Sequence, residues 1–350
     1  MRTPLLCVAI AFAVTLTSLD TTAQPLSAQP PVVKLDSALD ALVSGDAKLE
    51  VVKTGFGFTE GIRWVDQGGY LFFSDIAGNV IYKMTPQGKT SVYLYRSGYT
   101  GPDAWRVGAE FTNGKEPGDP KFEKFYMIGS NGLALDRQGR LIIATYSGRS
   151  IERLEKNGKR VVLADSFEGK RLNGPNDVIV KKNGTIYFTE TMGGLRQGDK
   201  DPAKGLDYQG VFMIKNGKVS LIIKDIPTPN GLALSPDEKY LYANGSRAKY
   251  VRRYRVLSDD TVTDSEMFID ISGDKTPGIT DGMKVDTKGN VYQSAAGGVW
   301  IVSPAGKHLG TIRVPELVAN LEFGDRDHKT LYIAARTSIY RIRVNTAGIP

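Results

Sequence analysis

The 350-residue chain has one cysteine and two histidines. Cys7 stands alone, which excludes an intrachain disulfide, a CxxC metal knuckle and a Cys–His nucleophilic pair. His308 and His328 both lie near the C-terminus, so there is no His-rich zinc site and no HExxH helix. A GxSxG elbow, a Walker A loop and a GxGxxG turn are also missing. So is any long block of one charge: 45 Lys and Arg against 38 Asp and Glu leave +7, scattered along the chain. That pattern describes a solvated surface, not a nucleic-acid face. Chemistry is left to carboxylates, amides, Arg and Lys, Tyr or a hard metal ion.

Glycine, by contrast, is plentiful. Its 39 residues are about one in nine, above the usual ~7%. A chain that turns this often favours many short strands over long helices. Hydrophobic residues at 41% and charged ones at 24% are ordinary for a globular protein, and exclude both disorder and a polytopic membrane protein. The length suits one large or two medium domains.

Residues 1–23 combine Met-Arg, an apolar run from Leu5 to about Leu19, and a small residue at Ala23. These are the parts of a secretory signal, cleaved after Ala23 or Ala28, which predicts a periplasmic or secreted protein. The run is shorter than the roughly 20 residues a membrane anchor needs. No membrane association is expected once the signal is removed. Residues 24–45 read as a flexible lead, followed by one domain over 46–345.

That domain is organised by an internal repeat. EGIRWVDQGGYLFFSD (60–75), NGLALDRQGRLIIAT (131–145), NDVIVKKNGTIYFTE (176–190), NGLALSPDEKYLYAN (230–244), DGMKVDTKGNVYQSA (281–295) and NLEFGDRDHKTLYIA (320–334) each alternate apolar residues around a polar turn. Each is a β-hairpin signature, and second hairpins such as SIERLEKNGKRVVLA (150–164) follow most of them. The repeats begin 71, 45, 54, 51 and 39 residues apart. Two hairpins per unit at periods near ~40–50 are what propeller blades require. The expected fold is therefore all-β, a six-bladed β-propeller of four-stranded antiparallel blades. A β-sandwich or two separate β domains is the competing fold. The last unit lacks an outer strand, which Leu49–Val52 could supply by pairing the two ends. An insertion at about 98–124 reads as a loop or lid over one face.

The first residues of the repeats are Glu60, Asn131, Asn176, Asn230, Asp281 and Asn320. In a propeller they start the innermost strands and ring one mouth of the channel. Asn-Gly and Asp-Gly pairs also make ordinary turns, but turn chemistry gives no reason for Glu60 and Asp281 at these places. Two carboxylates among amide oxygens suit a hard cation, and Ca²⁺ accepts 6–8 oxygen ligands with flexible geometry.

Here the sequence resembles the SMP-30/gluconolactonase/LRE-like family of six-bladed propellers, over roughly residues 50–343. The resemblance rests on FTEGIRW (58–64), SNGLALDRQGRL (130–141), GKRLNGPNDVIVKKNGTIYFTE (169–190), PNGLALSPDEKYLY (229–242) and TDGMKVDTKGNVY (280–292). It implies that Glu60, Asn176, Asn230 and Asp281 bind one catalytic divalent ion. Ca²⁺ is favoured, with Zn²⁺, Mg²⁺ and Mn²⁺ as alternatives. The activity implied is hydrolysis of a sugar or other small lactone, with Asp281 and Glu60 as the catalytic carboxylates. Asn131, Arg171 and Tyr146 are candidate substrate contacts, Trp105 a candidate pocket wall, and Asp177 a residue that orients the ligands. The chain departs from the family in having Thr145-Tyr146-Ser147-Gly148 where many members carry a Glu-His-Gly-like stretch. A phosphotriesterase- or arylesterase-like hydrolase at the same metal and a non-catalytic binding propeller are the alternatives. Asn183-Gly-Thr and Asn244-Gly-Ser match the glycosylation pattern but read as strand-end turns.

Overall fold

In the computed structural model, residues 30–112 and 115–349 are described; the expected signal at 1–23 lies outside them. The repeat hairpins fold as expected because most of their turns are built by a side chain. The Asp136 carboxylate accepts the Gln138 and Arg140 N–H groups, and Asp286 does the same for Lys288 and Asn290, all at 2.9 Å. Such an Asx turn closes the first hairpin of a blade without help from the rest of the fold.

Six antiparallel sheets result. Their innermost strands are Thr59–Val65, Leu133–Leu135, Pro175–Val180, Pro229–Leu234, Met283–Val285 and Val318–Gly324. Each contacts the next, and the sixth contacts the first, so the ring is closed. Both faces of a blade are buried. In blade 1, Leu71 and Phe73 point one way and Phe72 the other, all 3% exposed or less. Between blades 5 and 6, Tyr292, Leu321, Phe323 and Ile333 form one cluster; between blades 2 and 3, Ile142, Phe188 and Phe212 form another. Each such side chain contributes about 1.5–3 kcal/mol. Blade 6 is completed by the N-terminal strand Glu50–Thr54, which pairs with Ser338–Arg343 in register Glu50↔Arg341 and Thr54↔Ser338. This closure leaves no open edge in the ring where the chain ends meet.

Two features differ from expectation. The lead over 24–45 is structured throughout its described part. Val32–Lys34 adds a fifth strand to blade 5, pairing with His308–Arg313, and Ser37–Ala41 forms a 3₁₀ turn capped by Asp36. Leu39, Leu42 and Val43 sink into the cluster between blades 5 and 6. The Gln-Pro-rich opening hides this short alternation, whose apolar residues have a core to join only once both blades exist. At the other end the fold runs past residue 345: Gly348 bridges to Asp286, and the Ile349 N–H donates to the Val285 carbonyl.

The insertion is a cap. After the turn Ala104–Arg106, Glu110–Thr112 pairs with Lys124–Tyr126. Phe111 packs edge-on to Phe58 at 4.7 Å between centroids, and Phe125 and Met127 join a cluster with Ile76, Tyr146 and Ala319. Backbone bonds from Gly108 and Ala109 to Gly194 and Gly193 fasten the cap to blade 3. Arg336 of blade 6 stacks over Phe111, and Arg196 of blade 3 over Tyr126.

Candidate functional site

The cap covers the end of the channel where the innermost strands begin. Four of these strands open with a register shift: between Glu60 and Arg63, Pro175 and Val178, Pro229 and Leu232, and Val318 and Asn320. A bulge re-aims the side chain of the extra residue. Here the shifts fall at the first polar residues of these four repeats, Glu60, Asn176, Asn230 and Asn320.

The glycine that follows is explained by the next blade. A Cβ on Gly61 would sit 1.9 Å from the Asn131 carbonyl oxygen, and one on Gly231 would sit 2.2 Å from that of Asp281. Gly132 presses likewise on Asn176 and Asp177, and Gly282 on Asn320. Across the two remaining junctions side chains make the link. The Asp177 carboxylate accepts Leu232 N–H at 3.1 Å, and the Asn320 amide donates to Glu60 at 2.9 Å.

Glu60, Asp281 and Asn230 are neighbours, and Tyr146 relates Asn176 to them. Glu60 and Asp281 lie within hydrogen-bonding reach of each other, and Asn230 lies beside Asp281. The Tyr146 hydroxyl reaches Asn176, with both carboxylates near enough to act on it electrostatically. Both carboxylates are buried, and their pKa values are raised. Burial is the main cause for each, and the neighbouring acids add to it. Hydrogen bonds from Asn320 and from the Gly61 N–H act in the opposite direction on Glu60. Burial also pushes the Tyr146 phenol well up.

Three oxygens in this region are buried without any partner: Oδ1 of Asn131, of Asn176 and of Asp281. An unsatisfied buried acceptor costs about 1–3 kcal/mol. Three from blades 2, 3 and 5 at one channel mouth, one of them on Asp281 and all beside the Glu60 carboxylate, form a donor set suited to a hard cation. The fit depends on the amides. Among the described residues no three His, Cys, Asp or Glu side chains gather closely enough to hold an ion.

The other expected residues divide. Asn131 joins the ring through Gly61. Asp177 sits beneath it with its carboxylate committed to the Val178 and Leu232 N–H groups, which ties blade 3 to blade 4. Arg171 stays exposed on the rim, its guanidinium 3.4 Å from the Gly148 carbonyl. Trp105 is 68% exposed in the cap and lines nothing. Asn320 begins a repeat like the metal-type donors, but its Oδ1 accepts the Leu321 N–H and its amide nitrogen holds Glu60. Asn244, at a glycosylation-like triplet, is buried and links blades 4 and 5, accepting from Gly231 N–H and donating to the Asp281 carbonyl. The sequence carried no signal for that bridge, because its partner lies in another blade.

A closed six-bladed propeller with a carboxylate–amide ring at one channel mouth defines the class. The family model for the SMP-30/Gluconolactonase/LRE-like region matches residues 58–337, and the chain belongs to that family. Gluconolactonase from Zymomonas mobilis is 33% identical over 327 residues, covering 91% of this chain and 87% of its own. The structure of a gluconolactonase from Xanthomonas campestris superposes with a TM-score of 0.72 at 25% identity, covering 90% of this chain and 94% of that one. A calcium-binding regucalcin from Agrobacterium tumefaciens shares the fold, with a TM-score of 0.65 at 17% identity over 87% of this chain and 96% of that one.

Proposed function

We propose that the protein is an exported lactonase that opens a sugar or other small lactone at a divalent metal held by Glu60, Asn176, Asn230 and Asp281. Export rests on the sequence of residues 1–23 alone. Ca²⁺ is the favoured ion because every donor is oxygen and four of the six ring residues are neutral amides. When bound, the ion supplies Lewis acidity that polarises the carbonyl and stabilises the oxyanion.

The protein's own groups then divide the work. Glu60 Oε2 already accepts two N–H bonds, from Gly61 at 2.8 Å and Asn320 at 2.9 Å, so this carboxylate is fixed. Asp281, whose Oδ1 accepts no protein hydrogen bond, would hold the ion with one carboxylate oxygen and take the proton of the attacking water with the other, then return it to the ring oxygen as the C–O bond breaks. Asn131, with its unpaired Oδ1, can receive a substrate hydroxyl. The cap packs over the mouth against residues of blades 6, 1, 2 and 3.

The observation that carries this reading is that two of the four proposed ligands, Asn176 and Asp281, each keep an Oδ1 buried without a partner, in a ring that also holds the buried Glu60 carboxylate. Assay of Asp281→Ala against aldonolactones, aromatic lactones and organophosphates tests it. Wild-type turnover of a lactone that needs added metal and vanishes in the variant supports the proposal. Metal binding with no lactone turnover would leave a binding propeller, and turnover of organophosphates alone would move the chemistry to phosphorus.

A further inference from the structure

Asn176 can turn either end of its amide toward the ring, and only its oxygen can hold a cation. We propose that Tyr146 makes that choice: its hydroxyl takes the Asn176 N–H and thereby holds Oδ1 facing the ring. The inference rests on the metal reading above.

The hydroxyl sits in a prepared place. Tyr146 opens the turn Tyr146–Gly148 with a φ of +50°, a left-handed value that a bulky residue adopts only when its surroundings compel it. A Cβ on Gly193 would lie 1.7 Å from the phenol oxygen, so glycine is required there to admit it. Tyr146 is buried, and Thr191 and Asn176 are polar side chains beside its hydroxyl.

Proton bookkeeping fixes the direction. Thr191 donates its own proton to the Gly174 carbonyl at 3.0 Å and accepts the Gly193 N–H at 3.2 Å. Its remaining lone pair is open to the Tyr146 O–H. The phenol oxygen is then an acceptor toward Asn176, and the amide must present N–H to it. A flipped amide would set two acceptors face to face, with the N–H pointing at Glu60 and Asp281. In keeping with this, Asn176 Oδ1 is buried and has no protein partner. Tyr146 is thus a positioning residue acting through Asn176.

Isothermal titration of the full chain with Ca²⁺ tests this in a double-mutant cycle of Tyr146→Phe and Asn176→Asp. Tyr146→Phe alone should weaken Ca²⁺ about 10-fold or more, the usual effect of losing a group that orients a ligand. In the Asn176→Asp background the same change should cost less than about 2-fold, because a carboxylate offers oxygen whichever way it turns. Thr191→Val, which removes the acceptor of the phenol proton, gives a second measure and should weaken binding in the same sense. Wild-type affinity in both Tyr146→Phe and Thr191→Val would overturn the proposal. So would an equal loss from Tyr146→Phe in the two backgrounds, which is what a packing role produces. No heat from the wild type with Ca²⁺, Mg²⁺, Mn²⁺ or Zn²⁺ sinks the metal reading, and this inference with it.

Discussion

Metal-free protein should become more stable when Glu60 is replaced by Gln, although the replacement should abolish activity. Burial and the neighbouring acids raise the Glu60 pKa from 4.5 to about 7. The folded state therefore holds a proton that the unfolded state has released between those two values. Native protein binds the extra proton, so stability falls as pH rises through this window. At 1.36 kcal/mol per pH unit the penalty approaches about 3 kcal/mol above pH 7, an upper figure because Glu60 and Asp281 share one repulsion. Gln keeps an oxygen to accept the Gly61 N–H and the Asn320 amide, so the hydrogen bonds survive while the charge goes. Calorimetric melting in chelator at pH 5 and pH 8 reads the effect. The wild type should melt lower at pH 8, and Glu60→Gln should melt several degrees above it there, with a flatter profile. Saturating metal should reverse the order by stabilising the wild type alone. A variant that melts below wild type at pH 8 in chelator would refute the claim that the paired carboxylates strain the metal-free fold.

Away from the ring, Asp260 is 1% exposed between Lys181 at 2.5 Å and Lys215 at 2.7 Å, with Asn183 and Thr185 also donating to it. Asp260→Ala should cost about 3 kcal/mol in a urea titration, the low end for a broken buried pair because Lys215 keeps some water. These donors hold the Asp260 carboxyl well below its usual range. Its stabilisation is thus complete above the unfolded value near 4 and is lost as pH falls toward the folded one, a decline Asp260→Ala should not show. Leu39→Ala should cost about 2–4 kcal/mol while leaving lactone turnover at 25 °C unchanged, since Leu39 is buried far from the ring. An unchanged urea midpoint would mean that the segment before Glu50 is not docked.

The blades were legible because their signals are local. Alternation and an Asp-led turn such as Asp136–Arg140 need nothing beyond fifteen residues of chain. The polar start of each strand was legible for the same reason. What those side chains do was not, because the partner that decides their role belongs to a different repeat. Asn320 and Asn176 look alike in sequence, yet Asn320 turns its nitrogen to Glu60 while Asn176 leaves its oxygen free. Leu39 and Val43 bury against Leu309 and Leu321, some 270 residues away in sequence, so a short apolar pattern beside prolines read as a lead. The cap has no repeat to betray it; its docking depends on Phe58 and on Gly193–Leu195, which only the closed ring brings beneath it.

Closing the ring and assembling the site are one physical event. Each ring residue is set by its neighbour: Gly61 against Asn131, Gly132 against Asn176, Asp177 on Leu232, Gly231 against Asp281, Gly282 against Asn320, and Asn320 on Glu60. Glu60 and Asn320 are held together only if blade 6 meets blade 1, and blade 6 is completed by the strand Glu50–Thr54. That strand runs straight into the blade that carries Glu60. A loss of pairing at Glu50↔Arg341 should therefore loosen the Glu60 carboxylate before it unfolds the blades. The rigidity that the proposed metal site would demand is supplied here by the continuity of a ring, not by disulfides, which a chain with one cysteine cannot form within itself.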